Sequence, residues 1–101
     1  MTAIYCLTET FSDSERYGLT SQMRRAAVSV PANIAEGAAR TGTKELMHFV
    51  SISSGSLSEL DTLVELAASL GYIADAAVIQ KQIDDVSGLI MALSASLKRR
   101  V

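Results

Sequence analysis

The 101-residue sequence is poor in the residues from which disulfides, metal sites and catalytic centres are usually built. Cys6 is the only cysteine, which excludes an intramolecular disulfide and a cluster of thiolate ligands. His48 is the only histidine, and the chain has no HExxH, CxxC or glycine-rich nucleotide-binding motif. We therefore predict no metal, no cofactor and no small-molecule substrate. We expect Cys6 to be a small buried hydrophobe rather than a nucleophile.

Long apolar runs are also absent. No stretch approaches the ~20 apolar residues of a membrane span, and the N-terminus lacks the basic and apolar regions of a secretory signal. A single cysteine suits a reducing compartment. We expect a cytoplasmic protein that does not enter a membrane.

Charge is scarce as well. Charged residues make up 20% of the chain, against roughly 25% in an ordinary domain, and 49% of the residues are hydrophobic. One small domain spanning residues 1–101 would struggle to cover this apolar surface, so the surplus predicts an interface between copies. The formal net charge of −2 argues against a general phosphate-binding surface but leaves room for a local basic patch.

The sequence does contain strong helical periodicity. Apolar residues recur at three-and-four spacing in four segments, which predicts an all-α bundle. The predicted helices cover residues 2–11, Leu19–Ala39, Lys44–Leu70 and Asp75–Arg100, with a capping box at Ser12–Glu15. Gly42 is predicted to take a left-handed turn before Thr43, the N-cap of the third helix, and Asp75 to cap the fourth.

The only proline, Pro31, lies inside the second predicted helix. A proline in a helix interior removes a backbone donor and costs roughly 3 kcal/mol, so something must compensate. One interpretation is a single helix kinked at Pro31. The alternative is a break, after which Asn33 and Glu36 would cap a new short helix. We favour the kinked helix.

A polar column follows the same helix. Its members recur at three-and-four spacing and share one side of the helix: Gln22, Arg25, Ser29, Asn33, Glu36 and Arg40. Any one of them could be merely solvated, but serine and asparagine usually hold helix-interior positions by hydrogen bonding. We expect Arg25 to pair with Glu36 or Glu59 between helices, because a partly buried ion needs a partner.

Small residues occupy the middle of the third helix, namely Ser51, Ser53, Ser54, Gly55 and Ser56. These residues weaken a helix, so tertiary packing must stabilise it. Small side chains also let another backbone approach closely. The small-residue patch is therefore predicted to receive either the second helix or a neighbouring subunit.

Several of these segments together resemble one protein family. They are Gly18–Gln22, Arg24–Pro31, Asn33–Gly37, Lys44–Glu45 and Gly55–Leu60, in that order. Over about residues 7–97 the chain resembles the 23S rRNA intervening-sequence proteins. The resemblance implies an antiparallel up-and-down four-helix bundle, here with a shortened first helix, that assembles as a ring-like homopentamer without established enzymatic activity. A related branch, the accessory protein of diversity-generating retroelements, forms a pentameric barrel that binds a reverse transcriptase and nucleic acid.

Our first hypothesis is a non-enzymatic, homo-oligomeric bundle, pentameric by resemblance, that acts as a scaffold or binding module. Its structural and interface residues would be those of the family motif: Gln22, Arg25, Ser29, Pro31, Asn33, Glu36, Gly37, Gly55 and Glu59.

The second hypothesis is binding to RNA or DNA, in association with 23S rRNA or a ribonucleoprotein. Basic residues repeated around the ring would make the contacts, namely Arg24, Arg25, Arg40, Lys44, Lys98, Arg99 and Arg100. A nucleic-acid-binding protein is the other partner considered. For the C-terminal cations, favourable interaction with a helix C-terminus is the leading explanation. An enzyme using Arg25, Glu36, His48 and Glu59 ranks last, because nothing in the sequence brings them together.

Overall fold

The computed structural model describes residues 2–9 and 16–100, and all their regular structure is helical. The four α-helices are α1 (Thr2–Thr8), α2 (Ser21–Ala38), α3 (Thr43–Ser69) and α4 (Ala77–Lys98), and a π-helical turn at Arg16–Thr20 leads into α2. The predicted all-α, four-helix class is confirmed. The capping box at Ser12–Glu15 lies outside the described residues, as does the end of the predicted first helix.

The second helix continues through its proline. α2 runs for 18 residues with Pro31 inside it, so the alternative of a break followed by a new short helix is wrong. Whether the helix is kinked at Pro31 stays a prediction. Four apolar side chains of α2, those of Met23, Ala26, Ala27 and Val30, are buried along its three-and-four stripe.

The two glycines that flank α3 behave differently. Gly71 ends the helix in a left-handed conformation, whereas Gly42 before it is not left-handed. Gly71 has φ +84°, and its N–H donates to the Ala68 carbonyl while that of Tyr72 donates to the Ala67 carbonyl. This pair of bonds is a Schellman motif, which favours glycine because other residues resist a positive φ. At the other end, Gly42 is the N-cap and is extended, with φ −113°. The predicted left-handed conformation of Gly42 and the N-cap at Thr43 are therefore wrong.

An aspartate organises the start of α4. The Asp75 carboxylate accepts a 2.9 Å hydrogen bond from the backbone N–H of Ala77, the first residue of the helix. This bond satisfies one of the amides that a helix start leaves without a partner. Asp75 thus provides the predicted cap, although the backbone places the N-cap position at Ala76.

The core lies along α3, which packs against both α2 and α4. The side chains buried to 2% exposure or less include Met23 of α2, Val50, Leu60 and Val64 of α3, and Leu97 of α4. Burying each large side chain of this kind contributes about 1.5–3 kcal/mol. None of the described helices combines the length and apolar character needed to cross a membrane.

The first helix is short, and packing stabilises it. α1 has only seven residues, too few for an isolated helix, and its Ile4 is 2% exposed in the core. Its Thr8 hydroxyl accepts a 2.8 Å bond from Arg24 Nε of α2. Cys6 lies on the outer side of α1 and is exposed, so its predicted burial is wrong.

Gly37 lets α2 and α3 approach closely. A Cβ atom added at Gly37 would lie 2.8 Å from the Phe49 Cβ, 3.0 Å from Leu46 Cδ1 and 3.4 Å from the Leu46 Cα. Phe49 Cβ and Leu46 Cα are close to the α3 backbone and cannot move aside like the end of a flexible side chain. Gly88 of α4 is the opposite case, since a Cβ there would meet nothing within 4 Å.

These two glycines give a matched test. Gly37→Ala should lower the free energy of unfolding by about 1 kcal/mol or more, because overpacking outweighs the better helix propensity of alanine. Gly88→Ala should raise it by roughly 0.5–1 kcal/mol, since only the propensity changes there. Urea denaturation followed by circular dichroism measures both. Equal stabilisation by the two substitutions would contradict the close approach at Gly37.

Candidate functional site

The inner part of the polar column joins α2 to α3. The hydroxyls of Ser29 and Ser56 lie 2.8 Å apart across the helix pair. The Asn33 side-chain amide donates to the Ser29 carbonyl at 2.8 Å and to the Ser29 hydroxyl at 2.9 Å. Ser29 and Asn33 of the polar column are therefore engaged in hydrogen bonds within the chain and are not simply solvated.

A buried serine lies against the proline-containing turn. Ser53 is completely buried, and its hydroxyl donates to the Val30 carbonyl at 2.8 Å. With the bond from Asn33, both carbonyls immediately before Pro31 accept a side-chain donor. Pro31 lacks the N–H that would bond the carbonyl four residues back. That carbonyl belongs to Ala27, so the bonds from Ser53 and Asn33 stabilise the turn around Pro31 without replacing the one that the proline removes.

Only part of the small-residue patch faces α2. Ser53 and Ser56 make the contacts just described, whereas Ser51 and Ser54 are exposed. A Cβ at Gly55 would meet nothing within 4 Å, so Gly55 receives no backbone from the part of the chain that the structure describes. The prediction that the small-residue patch contacts the second helix is right for Ser53 and Ser56. It is wrong for Gly55.

The outer part of the column is exposed and charged. Glu36 pairs with Arg40 one turn later at 2.5 Å, and each side chain is about half exposed. Arg25 and Glu59 are also exposed, and neither forms an ion pair with any residue that the structure describes. The expected pairing of Arg25 with Glu36 or Glu59 is therefore not made within the chain.

Arg25 and Glu59 nevertheless belong to one surface. Because Ser29 faces Ser56 and Gly37 faces Phe49, α2 and α3 run in opposite directions, and Arg25 lies level with Glu59. Four exposed residues follow one another along α3 at intervals of seven, seven and four, namely Ile52, Glu59, Leu66 and Leu70. These intervals place all four on the same side of the helix, in one stripe. We call this surface, formed by Arg25 of α2 and Ile52, Glu59, Leu66 and Leu70 of α3, the α2–α3 face.

Five of the seven predicted nucleic-acid contacts collect at one end of the bundle. α2 ends and α3 begins there, and Lys98 of α4 lines a cavity with Met47 of α3. We call this region the basic end; its cations are Arg40, Lys44, Lys98, Arg99 and Arg100, all exposed. The acidic residues that the chain path brings there are Glu36 and Glu45, so cations are in excess.

The two other predicted contacts lie elsewhere. Arg24 and Arg25 are about 22 Å from Arg40 along α2, given 1.5 Å per residue. The Arg24 guanidinium donates to Thr8 and lies 4.8 Å from the centre of the Tyr5 ring. Arg24 therefore holds α1 against α2. Arg40 also has a structural contact, 5.3 Å from the Phe49 ring centre.

The residues of the enzyme hypothesis are not brought together. Arg25 and Glu59 lie near one end of the α2–α3 contact, and Glu36 and His48 near the other, about 16 Å away by helix rise. His48 is exposed and lies edge-on to its neighbour Phe49, with ring centroids 5.4 Å apart. Within residues 2–9 and 16–100, no group of three or more metal-ligating side chains is arranged to hold an ion.

A sequence model described as 23S rRNA-intervening sequence protein matches residues 1–92. The chain belongs to this family. The resemblance predicted from its motifs is thereby confirmed, while no curated protein sequence matches the chain. The matched residues include the whole α2–α3 face. Of the five cations of the basic end, they include only Arg40 and Lys44. The cations at 98–100 lie beyond the family match.

Two features of the structure were not predicted from the sequence. One is the close approach at Gly37, for which the only signal was its place seven residues after Val30 on the buried side of α2. The other is the contact of Arg24 with α1, which joins residues 16 positions apart and has no periodic signal.

The buried hydroxyl of Ser53 provides a test of the proline contact. Ser53→Ala should lower the free energy of unfolding by about 1–2 kcal/mol, because a buried hydrogen bond is lost beside Pro31. Ser54→Ala is the matched control on the exposed side of α3 and should change it by less than about 0.5 kcal/mol. Thermal and urea denaturation measure both. Indistinguishable variants would show that the Ser53 bond does not stabilise this turn.

Proposed function

We propose that this protein is a non-catalytic helical bundle that assembles with itself and serves as a scaffold or binding module. The observation that carries the proposal is the α2–α3 face. Its three apolar side chains are 38%, 46% and 58% exposed, for Ile52, Leu66 and Leu70. An apolar stripe of this kind favours burial against a partner surface.

The charges of the α2–α3 face support a second copy as that partner. Arg25 and Glu59 have opposite signs, lie level with each other and pair with nothing in the described chain. Arg25 of one copy can therefore meet Glu59 of another. Charged pairs of this kind set register and specificity more than affinity, while the apolar stripe provides most of the stabilisation. A ring of five subunits is the assembly that the family resemblance implies.

Introducing a charge into the apolar stripe tests the assembly. Wild-type protein at micromolar concentration should scatter light as a defined multiple of the 10.7 kDa chain. Leu66→Glu should shift it toward the monomer, by at least about tenfold in dissociation constant, because the carboxylate would be desolvated in the interface. Sedimentation velocity measures the distribution.

Val78→Glu is the matched control. Val78 is 66% exposed and belongs to α4, not to the α2–α3 face, so this substitution adds the same charge without changing a residue of the stripe. It should leave the assembly unchanged. A monomeric wild-type protein, or equal dissociation by both variants, would contradict self-assembly through this face.

A second candidate function, binding to RNA, is favoured by the basic end. Five exposed cations gather there in a chain whose net charge is −2, so the overall charge conceals a local positive surface. Arg99 and Arg100 follow the last residue of α4, and neither forms an ion pair with a residue that the structure describes. The name of the family connects its members with the intervening sequence of 23S rRNA.

Salt dependence tests this candidate. Affinity for a labelled 23S rRNA hairpin, measured by fluorescence anisotropy, should fall steeply with salt, because each phosphate contact releases counterions. A Lys44→Ala, Arg99→Ala, Arg100→Ala variant should bind more weakly and show a shallower salt slope. Lys81→Ala, on α4 beside Asp85, is the control and should bind like wild type. Absence of binding at low salt would refute the candidate.

A further inference from the structure

A cavity of about 360 Å³ lies between α3 and α4. Its lining residues fall between positions 47 and 54 of α3 and between positions 90 and 98 of α4, in the half of the bundle nearest the basic end. We call it the α3–α4 cavity. Ser54, in its wall, is two residues, or about 200° around α3, from Ile52. The cavity and the α2–α3 face are therefore on opposite sides of α3.

Four polar side chains line the α3–α4 cavity. They carry three hydroxyls and one ammonium group, those of Ser51, Ser54, Ser94 and Lys98. None of the four forms a hydrogen bond or ion pair within the part of the chain that the structure describes. The serines on the other side of α3 differ, because Ser53 and Ser56 both bond to α2. The hydroxyls of the cavity therefore remain available to a ligand.

The charge of the cavity lining favours an anion. Among the described residues that line it, none is acidic. On α4, the nearest carboxylate is that of Asp85, six residues or about 9 Å of helix from Met91. On α3, Glu59 belongs to the opposite α2–α3 face, and Glu45 is two residues from Met47, a spacing that does not place residues on one side of a helix. A phosphate group accepts hydrogen bonds from an ammonium group and from hydroxyls alike, so it matches all four donors.

The rest of the cavity lining is apolar. It consists of Met47 and Val50 of α3 with Ile90 and Met91 of α4. Methionine side chains adapt to the shape of a neighbour and make favourable contacts with aromatic rings. Small-molecule sites have volumes of roughly 300–1,000 Å³ and combine apolar walls with a few polar groups. The cavity thus has the size and the chemistry to hold one phosphate together with one planar ring system, which are the parts of a single nucleotide.

We propose that the α3–α4 cavity binds one nucleotide, with its phosphate on Lys98 and the three serines and its base against the two methionines. The nucleotide has two possible sources, a free nucleoside monophosphate or one residue of an RNA strand that lies on the basic end. Only the second source rests on the proposed RNA binding. In that case Lys44, one turn before Met47, is placed to contact a neighbouring phosphate of the strand.

The probe is adenosine 5′-monophosphate, titrated into the full-length protein by isothermal titration calorimetry. It should bind saturably at one site per chain. Adenosine, which lacks the phosphate, should bind at least about tenfold more weakly, because the charge-assisted hydrogen bonds are lost. Inorganic phosphate, which lacks the base, should bind at least about threefold more weakly, because the apolar wall is left without a contact.

Substitutions at exposed positions of α4 locate the site. Lys98→Ala should weaken nucleotide binding at least about tenfold, whereas Lys81→Ala, the same change outside the cavity, should leave it within about twofold. Met91→Ala should weaken nucleotide binding at least about threefold and leave the affinity for inorganic phosphate unchanged. Leu89→Ala is its matched control, since Leu89 is 72% and Met91 67% exposed. Circular dichroism should show equal helix content for all four variants.

Competition with the labelled 23S rRNA hairpin distinguishes the two sources. If the nucleotide displaces the hairpin, and Met91→Ala weakens hairpin binding, the cavity holds a residue of the RNA. If the nucleotide binds without displacing the hairpin, the cavity holds a free nucleotide. A hairpin that does not bind at all refutes the RNA candidate, while the calorimetric titration still decides whether the cavity binds a nucleotide.

Two outcomes would overturn the proposal. The first is no saturable binding of adenosine 5′-monophosphate at millimolar concentration. The second is equal affinity of the cavity variants and their controls, Lys98→Ala with Lys81→Ala and Met91→Ala with Leu89→Ala, because the nucleotide would then bind elsewhere. The Leu66→Glu result is independent of both, since Leu66 belongs to the α2–α3 face.

Discussion

The close packing of α2 against α3 is the contact on which the other features of the molecule depend. It requires Gly37 at one point, because a single methyl group there would lie 2.8 Å from the Phe49 Cβ. Further along the pair, Ser53 and Ser56 bring hydroxyls to the proline-containing turn. The apolar stripe of each helix supplies most of the stabilisation, but the glycine and the serines set the distance at which that stripe can be buried.

This packing adds hydrogen bonds to the turn of α2 that contains the proline. Pro31 removes the hydrogen bond that the Ala27 carbonyl would accept, while the Ser29 and Val30 carbonyls accept additional bonds from Asn33 and Ser53. Serine and asparagine have lower helix propensities than leucine or alanine, and here each satisfies backbone acceptors that a better helix former could not reach. The inner residues of the polar column therefore stabilise the helix, while the outer residues of the column remain exposed and available to partners.

Periodicity predicted most of the fold. Three-and-four spacing gave α2, α3 and α4 to within about two residues, because a helix that packs on a core must repeat its apolar residues at that interval. Predictions at single residues were less successful. Cys6 is exposed and Gly42 is extended, since both depend on how the short α1 and the α2–α3 turn sit against the rest. Glu36 pairs with Arg40 instead of Arg25 because Arg40 is one turn away, whereas Arg25 lies eleven residues, or about 16 Å, along the same helix.

The candidate surfaces were harder to predict than the helices, for a related reason. Each combines elements that are distant in sequence. Lys44 and Arg100 lie at one end of the bundle only because α3 and α4 run in opposite directions, so a net charge of −2 gave no sign of the basic end. The α2–α3 face likewise combines Arg25 of one helix with Glu59 and three apolar residues of the next, and only the pairing of α2 with α3 brings them together.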